Sequence, residues 1–135
     1  MRIYLASWYL DKPRMRNVAT MLQNAGVRVV SSWIFSPGNV YPLDGETQKY
    51  WAVRDEVEVA NCDVFVAFAD ADVFRKGQGG RHTEFGLARA LGKKIVIVGE
   101  PEQVFHHLPG IKYVKTVADL LQYVEDVEYL AWLER

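Results

Sequence analysis

The sequence predicts an α/β fold in which a parallel sheet is covered by helices on both faces. Short apolar runs bounded by turn residues alternate along the chain with longer segments of helical periodicity, and this alternation is typical of parallel sheets. Residues 63–69 and 93–99 are the clearest runs, and both have the composition of buried strands. The two runs enclose a short helical segment, so together they predict a strand–loop–helix–strand unit with a long first loop.

The other elements follow from the same patterns, taken in chain order. A first strand is predicted at 2–6, followed by a helix over about 12–25 that ends at Gly26. The remaining predictions are a strand at 27–31, a loop at 32–45, a helix at 46–60, a strand at 63–69, a polar loop at 70–80, a short helix ending at 91, a strand at 93–99, a short helix at 101–107, a strand at 111–114 and a helix at 116–133. Thr116 is a good N-cap for the last helix, with Asp119 at its N3 position. Five strands favour a doubly wound sheet in the flavodoxin-like order 2-1-3-4-5.

Composition limits what the protein is expected to do. A chain of 135 residues predicts a single domain, residues 1–135. Its 16 basic residues nearly balance 17 acidic ones, so no basic face for a nucleic-acid polymer is expected. The lone cysteine, Cys62, fits a reducing cytoplasm. The apolar run at 3–6 is too short for a signal peptide or a membrane span, so no membrane partner is expected.

The segment 80–88 carries the most informative residue, Glu84. Leu87, Ala88 and Leu91 follow it at helical spacing, so the carboxylate shares a face with residues that must pack inward. A charge on such a face is costly unless something compensates it. Glu84 either complements the positive end of the helix dipole or points from the helix start into the ligand crevice at the carboxyl ends of the strands.

Asp55 is a second carboxylate at or near a buried helix face. It shares a helical row with Ala52 and Val59. It is either a partly exposed residue paired with Arg54 or Lys49, or an acid or hydrogen-bonding residue that holds a ligand opposite Glu84. Two carboxylates in unlike environments can have their pKa values pushed apart, which suits one as nucleophile and the other as proton donor.

Other motifs do not indicate a cofactor or a metal. The glycines at 77–80 follow the third strand, whereas a dinucleotide fingerprint follows the first, and residues 86–94 have the wrong spacing for a phosphate loop. His106 and His107 are neighbours that face different ways, with no Cys or carboxylate at ligand spacing. Ser7 has no nearby His, so it is expected to hydrogen-bond in a turn or to a ligand instead of acting as a nucleophile.

The order of these segments resembles the nucleoside 2-deoxyribosyltransferase family and the related deoxynucleoside 5'-monophosphate N-glycosidases. The resemblance covers about residues 2–100. It rests on Ile3-Tyr4-Leu5-Ala6-Ser7, on an aspartate eight residues before Asp63, and on Gly80-x-x-x-Glu84-x-Gly86-x-Ala88. It implies that Glu84 attacks the anomeric carbon and forms a covalent glycosyl-enzyme. It also implies that Tyr4 orients Glu84 and that Asp55 helps to protonate the departing base. Neither a cofactor nor a metal is then needed.

The resemblance and the residue types together suggest how the substrate is held. Asp70 or Asp72 matches an acidic position near the sugar and base, and Ser7 and Gly80 lie in the same region of the pattern. Aromatic residues after strand 1, Trp8 and Tyr9, suggest a stacking surface for the base, to which Trp33 could contribute. Three basic residues, Arg75, Lys76 and Arg81, leave open a substrate that carries a phosphate.

Three functions therefore remain open at this stage. The leading hypothesis is base exchange on (deoxy)ribonucleosides, with a nucleoside and a free nucleobase as partners. The second is hydrolysis of the same bond, in nucleoside 5'-monophosphates, and the third is a non-catalytic nucleotide-binding module. The resembled family builds its sites at subunit contacts, and Tyr123, Tyr129 and Trp132 offer apolar surface on the last helix. A homo-oligomer is expected for these reasons.

Overall fold

In the computed structural model, which describes residues 1–37, 44–70 and 79–135, five parallel strands form one sheet in the order β2-β1-β3-β4-β5. The strands are β1 (Arg2–Ala6), β2 (Arg28–Val29), β3 (Val64–Ala69), β4 (Lys94–Gly99) and β5 (Lys112–Val114). The α-helices are α1 (Lys12–Asn24), α2 (Gly45–Asn61), α3 (Gly79–Ala90) and α4 (Val117–Leu133), and the short 3-10 turns are Tyr9–Asp11, Ser32–Phe35 and Val104–His107. The predicted fold class and strand order are confirmed.

The centre of the sheet is formed by β3 between β1 and β4. All six residues of β3 are buried, and it pairs in register with both neighbours, for example Phe65 with Tyr4 on one side and with Ile95 on the other. The Tyr4 and Phe65 rings stack at 5.6 Å, and Phe85 of α3 packs edge-on against Phe65 at 6.5 Å. Tyr4 therefore faces the α3 side of the sheet and lies within the core.

The sheet edge beside β1 differs from the prediction. The strand predicted at 27–31 is hydrogen-bonded as a strand only at Arg28–Val29, and a 3-10 turn follows where a loop was predicted. Side chains replace the missing strand pairing. Ser31 Oγ accepts from the Leu5 N–H at 3.0 Å, and the Trp33 indole N–H donates to the Leu5 carbonyl at 2.8 Å. The backbone groups of β1 remain satisfied although β2 has ended.

Helix α2 buries only a narrow face. Val59 is its one fully buried residue, whereas Tyr50, Val53 and Val57 are each about half exposed. The helix carries apolar residues on two faces, and only one face can lie against the sheet. The inward row comprises Trp51, Asp55, Glu58 and Val59.

Helix ends agree with the expected capping. The Thr116 hydroxyl accepts from the Asp119 N–H at 3.1 Å, which confirms the predicted N-cap of α4. Asp44 caps α2 in the same way, accepting from the Thr47 N–H at 2.8 Å. Across the described ranges, no helix is long and apolar enough to cross a membrane.

Candidate active site

Three elements bring Tyr4, Asp55 and Glu84 together on one side of the sheet. Tyr4 lies on β1, Asp55 on the inward row of α2, and Glu84 on α3, and these three elements pack against one another. The charges of Asp55 and Glu84 both raise the pKa of Tyr4, and the charge of Asp55 raises that of Glu84. Interactions of this kind require the three side chains to share one poorly solvated region.

Glu84 lies further into its helix than predicted. Helix α3 begins at Gly79, so Glu84 is its sixth residue and lies in the second turn instead of the first. The helix dipole acts within the first turn, so complementing it does not account for this carboxyl. A Cβ built on Gly80 would lie 4.0 Å from Glu84 Oε1, which places the carboxyl beside the backbone of the helix start.

Burial dominates the electrostatics of Glu84. It raises the pKa of the carboxyl to about 8, against a partial opposing effect of the Tyr4 hydroxyl, and the charges of Asp55 and Glu58 raise it further. The pKa of the Tyr4 hydroxyl is raised well above its usual value, first by burial and then by Glu84. The Tyr4 hydroxyl therefore stays protonated, so it can act as a hydrogen-bond donor but not as a base.

Polar atoms of all three residues are buried and unpaired. Within the described parts of the chain, the Tyr4 hydroxyl, Asp55 Oδ1 and Glu84 Oε2 have no hydrogen-bond partner. The Tyr4 hydroxyl is near enough to Glu84 to lower its pKa, but the two do not reach hydrogen-bond geometry. An unpaired buried polar atom costs about 1–3 kcal/mol, and three such atoms in one place indicate a site built for function and not for stability.

Asp55 has a raised pKa for related reasons. Burial is the largest cause, the negative charge of Glu58 is the second, and the positive charge of Arg54 opposes them, which leaves the pKa at about 7. The sequence predicted carboxyls with divergent pKa values, whereas in the structure both are raised, Glu84 somewhat more than Asp55. Near neutral pH the pair therefore shares protons, so one member can act as a carboxylate while the other donates a proton.

Polar residues that follow β1 and β3 form an ion-paired group at the carboxyl ends of these strands. Arg14 holds both oxygens of Asp70 at 2.7 and 2.8 Å, and its Nε donates to Asp11 at 3.0 Å. The Ser7 hydroxyl also donates to Asp11, at 2.7 Å. Ser7 and Asp70, both predicted to contact substrate, are thus held by protein partners, and Asp72 lies outside the described residues.

The aromatic residues predicted to stack on a base have different surroundings. Trp8 and Tyr9 are half-buried beyond the end of β1, where the Tyr9 ring lies 4.5 Å from the Lys12 ammonium. Trp33 is only 8% exposed and its indole N–H is bonded to the Leu5 carbonyl. Trp33 therefore packs in the core and supports β1, which leaves Trp8 and Tyr9 as the candidates for stacking.

Arg81 was a candidate for substrate binding and one of three basic residues that left a phosphate-bearing substrate open, but its charge is directed elsewhere. It is buried, its guanidinium contacts both oxygens of Glu102, and it also donates to the Phe68 carbonyl at 3.4 Å. Glu102 lies just after β4, so this ion pair joins the start of α3 to the turn that follows β4. Removing only one partner of such a buried ion pair destabilises the fold, because the other charge is left buried without compensation.

Two histidines flank that ion pair. His82, Glu102 and His106 place their potential ligand atoms within 4.8 Å of one another, a group that could hold a metal ion. The prediction that no carboxylate accompanies His106 is therefore wrong, because the turn after β4 brings Glu102 beside it. However, the Arg81 guanidinium already neutralises the Glu102 carboxylate, and His106 Nδ1 already accepts a hydrogen bond from the Glu102 N–H at 3.2 Å. Both groups are thus engaged within the protein.

Gly99 allows the ends of β3 and β4 to approach closely beside the site. Its φ is +106°, and a Cβ there would lie 2.9 Å from the Ala69 carbonyl carbon and the Asp70 nitrogen. Both the positive φ and the close backbone contact exclude other residues. Gly99 was predicted only as the end of a strand, and Arg14, Glu58 and Glu102 were not predicted to lie near the site.

Comparisons with known proteins establish the fold. No protein-family model matches the sequence, and no curated protein is similar enough in sequence to match. Several solved structures do match. A CMP N-glycosidase of Clostridium botulinum is 22% identical with a TM-score of 0.60, covering 93% of this chain and 98% of that one. This chain has the same fold.

Two further structures agree with that result. A 2-deoxyribosyltransferase of Bacillus psychrosaccharolyticus is 18% identical with a TM-score of 0.68, and the match covers 90% of each chain. A conserved protein of Enterococcus faecalis is 16% identical with a TM-score of 0.64, covering 93% of this chain and 98% of that one. Proteins with unrelated functions can share a fold at sequence identities this low, so the activity has to be argued from the site.

Proposed function

We propose that the protein belongs to the nucleoside 2-deoxyribosyltransferase family and exchanges nucleobases on (deoxy)ribonucleosides, with Glu84 as nucleophile. The observation that carries the proposal is the group of three buried, unpaired polar atoms on Tyr4, Asp55 and Glu84. A simple binding module does not require a buried carboxyl pair with raised pKa values, whereas glycosyl transfer uses such a pair. The fold shared with a 2-deoxyribosyltransferase supports the same conclusion.

The proposed reaction proceeds by two displacements. The Glu84 carboxylate attacks the anomeric carbon, a carbon–oxygen ester bond forms, and the bond to the base nitrogen breaks with its electron pair passing to the base. Asp55 gives its proton to that base. In the second step an incoming base attacks the same carbon, the ester bond breaks, and the proton of the incoming base returns to Asp55. The Tyr4 hydroxyl, which lies near Glu84 without bonding to it in this structure, donates a hydrogen bond to the carboxylate and orients it once substrate brings the two within reach.

This mechanism needs Glu84 deprotonated while Asp55 keeps its proton. With pKa values of about 8 and about 7, the required combination is a minority at any pH and most abundant between those two values. Activity should therefore follow a bell-shaped pH profile with its maximum at about pH 7.5. As the anomeric carbon gains positive charge in the transition state, the carboxylate form of Glu84 is stabilised.

Hydrolysis is the second candidate, supported by the similar fold of the CMP N-glycosidase. A 5'-phosphate would require a cation directed at the crevice. The cations of the described residues that could serve this role already have protein partners. Arg14 is paired with Asp70, Lys12 donates to Ser36, and Arg81 is paired with Glu102. Arg75 and Lys76 lie outside the described residues. The described contacts thus favour a nucleoside over a nucleotide.

One experiment separates these activities. Purified protein is incubated with a deoxynucleoside or its 5'-monophosphate, each with and without a second free base, and the products are separated by chromatography. We expect base exchange to outrun hydrolysis on the nucleoside. A strong preference for the monophosphate, with free sugar phosphate as the product, would favour the hydrolase instead.

The covalent step is tested in the same samples. Intact-protein mass spectrometry should show a pentosyl adduct on the wild type that Glu84→Ala lacks. Glu56→Ala is the matched control, because Glu56 is exposed on α2, and it should retain both adduct and activity. A Glu84→Ala variant with near-normal turnover would contradict the role of Glu84.

We also propose that the protein is a homo-oligomer. Besides Tyr129 and Trp132 of α4, which are 59% and 62% exposed, the outer face of α2 presents the half-exposed residues Tyr50 and Val53. By contrast, Tyr123 is packed against the core, which removes it from the expected contact surface. Light scattering combined with activity measured on dilution tests this, and an active monomer would contradict it.

A further inference from the structure

Glu58 is a third acidic residue of the site region, which the reaction described above does not use. It lies three residues after Asp55 on the inward row of α2, and its side chain is only 16% exposed. Two donors hold it in place: the Ser32 N–H contacts Oε1 at 3.1 Å, and the Ser32 hydroxyl donates to Oε1 at 2.9 Å. These two bonds fix the position of the Glu58 carboxyl group.

The position of Glu58 makes it a close neighbour of Asp55. Residues three apart on a helix have Cβ atoms about 5–6 Å apart, and like charges at that spacing repel. Because Ser32 holds the Glu58 carboxyl, it cannot swing out into solvent to relieve the repulsion. If Asp55 ionised, two fixed negative charges would lie side by side in a partly buried region.

The other charged groups around Asp55 do not cancel this effect. They are Arg54 on α2, Glu84 on α3 and Tyr4 on β1, while the 3-10 turn Ser32–Phe35 adds no ionisable group. Arg54 is the one cation among them. Its side chain is 45% exposed, it donates to the Ser32 and Tyr50 hydroxyls, and its Nε lies 3.8 Å from Glu58 Oε2. An ion pair this long and this exposed offsets the Glu58 charge only in part. The effect of Arg54 on Asp55 is smaller than that of Glu58.

We propose that Glu58 is a positioning residue that keeps the proton on Asp55, so that Asp55 is available as the acid for the departing base. The role of Glu58 in catalysis rests on the proposed function, whereas its effect on the protonation of Asp55 does not. Glu58 acts through Asp55 and does not touch the reacting atoms. Its contacts with Ser32 serve to hold a negative charge at a fixed place beside the acid.

The test replaces Glu58 by glutamine, which keeps the shape and an oxygen that can accept from Ser32. The titration of the Asp55 side chain is followed by carboxyl-carbon NMR, with its signal assigned from its loss in Asp55→Asn. Removing a neighbouring negative charge should lower the Asp55 midpoint by about one pH unit. The optimum of turnover on a deoxynucleoside should also move to lower pH, and kcat should fall more than KM rises.

Three further variants make the result decisive. Glu56→Gln removes a charge from the exposed side of the same helix, and it should leave the Asp55 midpoint unchanged. Arg54→Gln removes the opposing cation, and it should raise the midpoint. If Glu58→Gln does not fold, Ser32→Ala decides the matter, because it releases the Glu58 carboxyl towards solvent and should lower the midpoint. An Asp55 midpoint unchanged by the Glu58 substitution, or by Ser32→Ala where that variant stands in for it, would overturn the proposal. If the wild type turns over no nucleoside, the proposed function fails, yet the NMR titration still decides whether Glu58 acts on Asp55.

Discussion

Replacing Glu84 by glutamine should make the protein more stable, by an amount that grows with pH. Burial raises the pKa of this carboxyl from an ordinary 4.5 to about 8. Below pH 4.5, Glu84 is protonated in both the folded and the unfolded chain, so its ionisation does not affect the free energy of unfolding. As the pH rises further, the unfolded chain ionises while the folded one does not, so the wild type loses stability until the pH passes about 8.

The size of the effect follows from that shift. One pKa unit corresponds to about 1.4 kcal/mol, so between pH 5 and pH 8 the free energy of unfolding of the wild type should fall by about 3 kcal/mol relative to Glu84→Gln. Glutamine cannot ionise and keeps nearly the same shape. The variant would thus gain stability by losing the group proposed to carry the reaction, a common trade-off at active sites.

Urea denaturation followed by fluorescence of the 4 tryptophans measures this difference at both pH values. Glu56→Gln serves as the control, because Glu56 is exposed and its replacement should shift stability equally at pH 5 and pH 8. A Glu84→Gln variant whose advantage over the wild type is the same at both pH values would refute the reasoning, since Glu84 would then ionise as easily in the folded state as in the unfolded one.

The remaining predictions concern the supporting residues. Asp55→Asn should slow the reaction by about 10²–10⁴-fold, most for poor leaving groups, whereas Tyr4→Phe should cost less; steady-state kinetics on several bases checks both. Arg81→Met should lower the free energy of unfolding by about 3–5 kcal/mol because it strands Glu102, and the double variant with Glu102→Gln should be less destabilised than the sum of the singles. Gly99→Ala should cost about 1–3 kcal/mol in thermal unfolding, from the strained φ alone.

The strands and their order in the sheet could be predicted from the sequence, because the patterns that indicate a buried strand are local. Runs of buried residues identify β3 and β4, and their alternation with helices leads to the order that the structure confirms. The same topology explains why Tyr4, Asp55 and Glu84 could be expected near one another, since β1, α2 and α3 meet on one side of the sheet. Their catalytic roles stay predictions.

Features that depend on distant partners could not be read from the sequence in the same way. Nothing local indicates that Arg81 pairs with Glu102, 21 residues away, so Arg81 looked like a cation directed at substrate. Trp33 looked like a loop aromatic because its bond to the Leu5 carbonyl forms only after folding. Glu58 could have been noticed, however, since it follows Asp55 by one helical turn on the same side.

The way that side chains complete the outer edge of β1 has a consequence for how this fold can be altered. Ser31 and Trp33 take over the hydrogen bonds of Leu5 once β2 has ended, so the chain beyond Trp33 is not required to run alongside β1. The segment that follows can therefore change in length and course between relatives without exposing the strand. Redesign of substrate preference could vary residues after Ser36 while keeping that serine–tryptophan pair fixed.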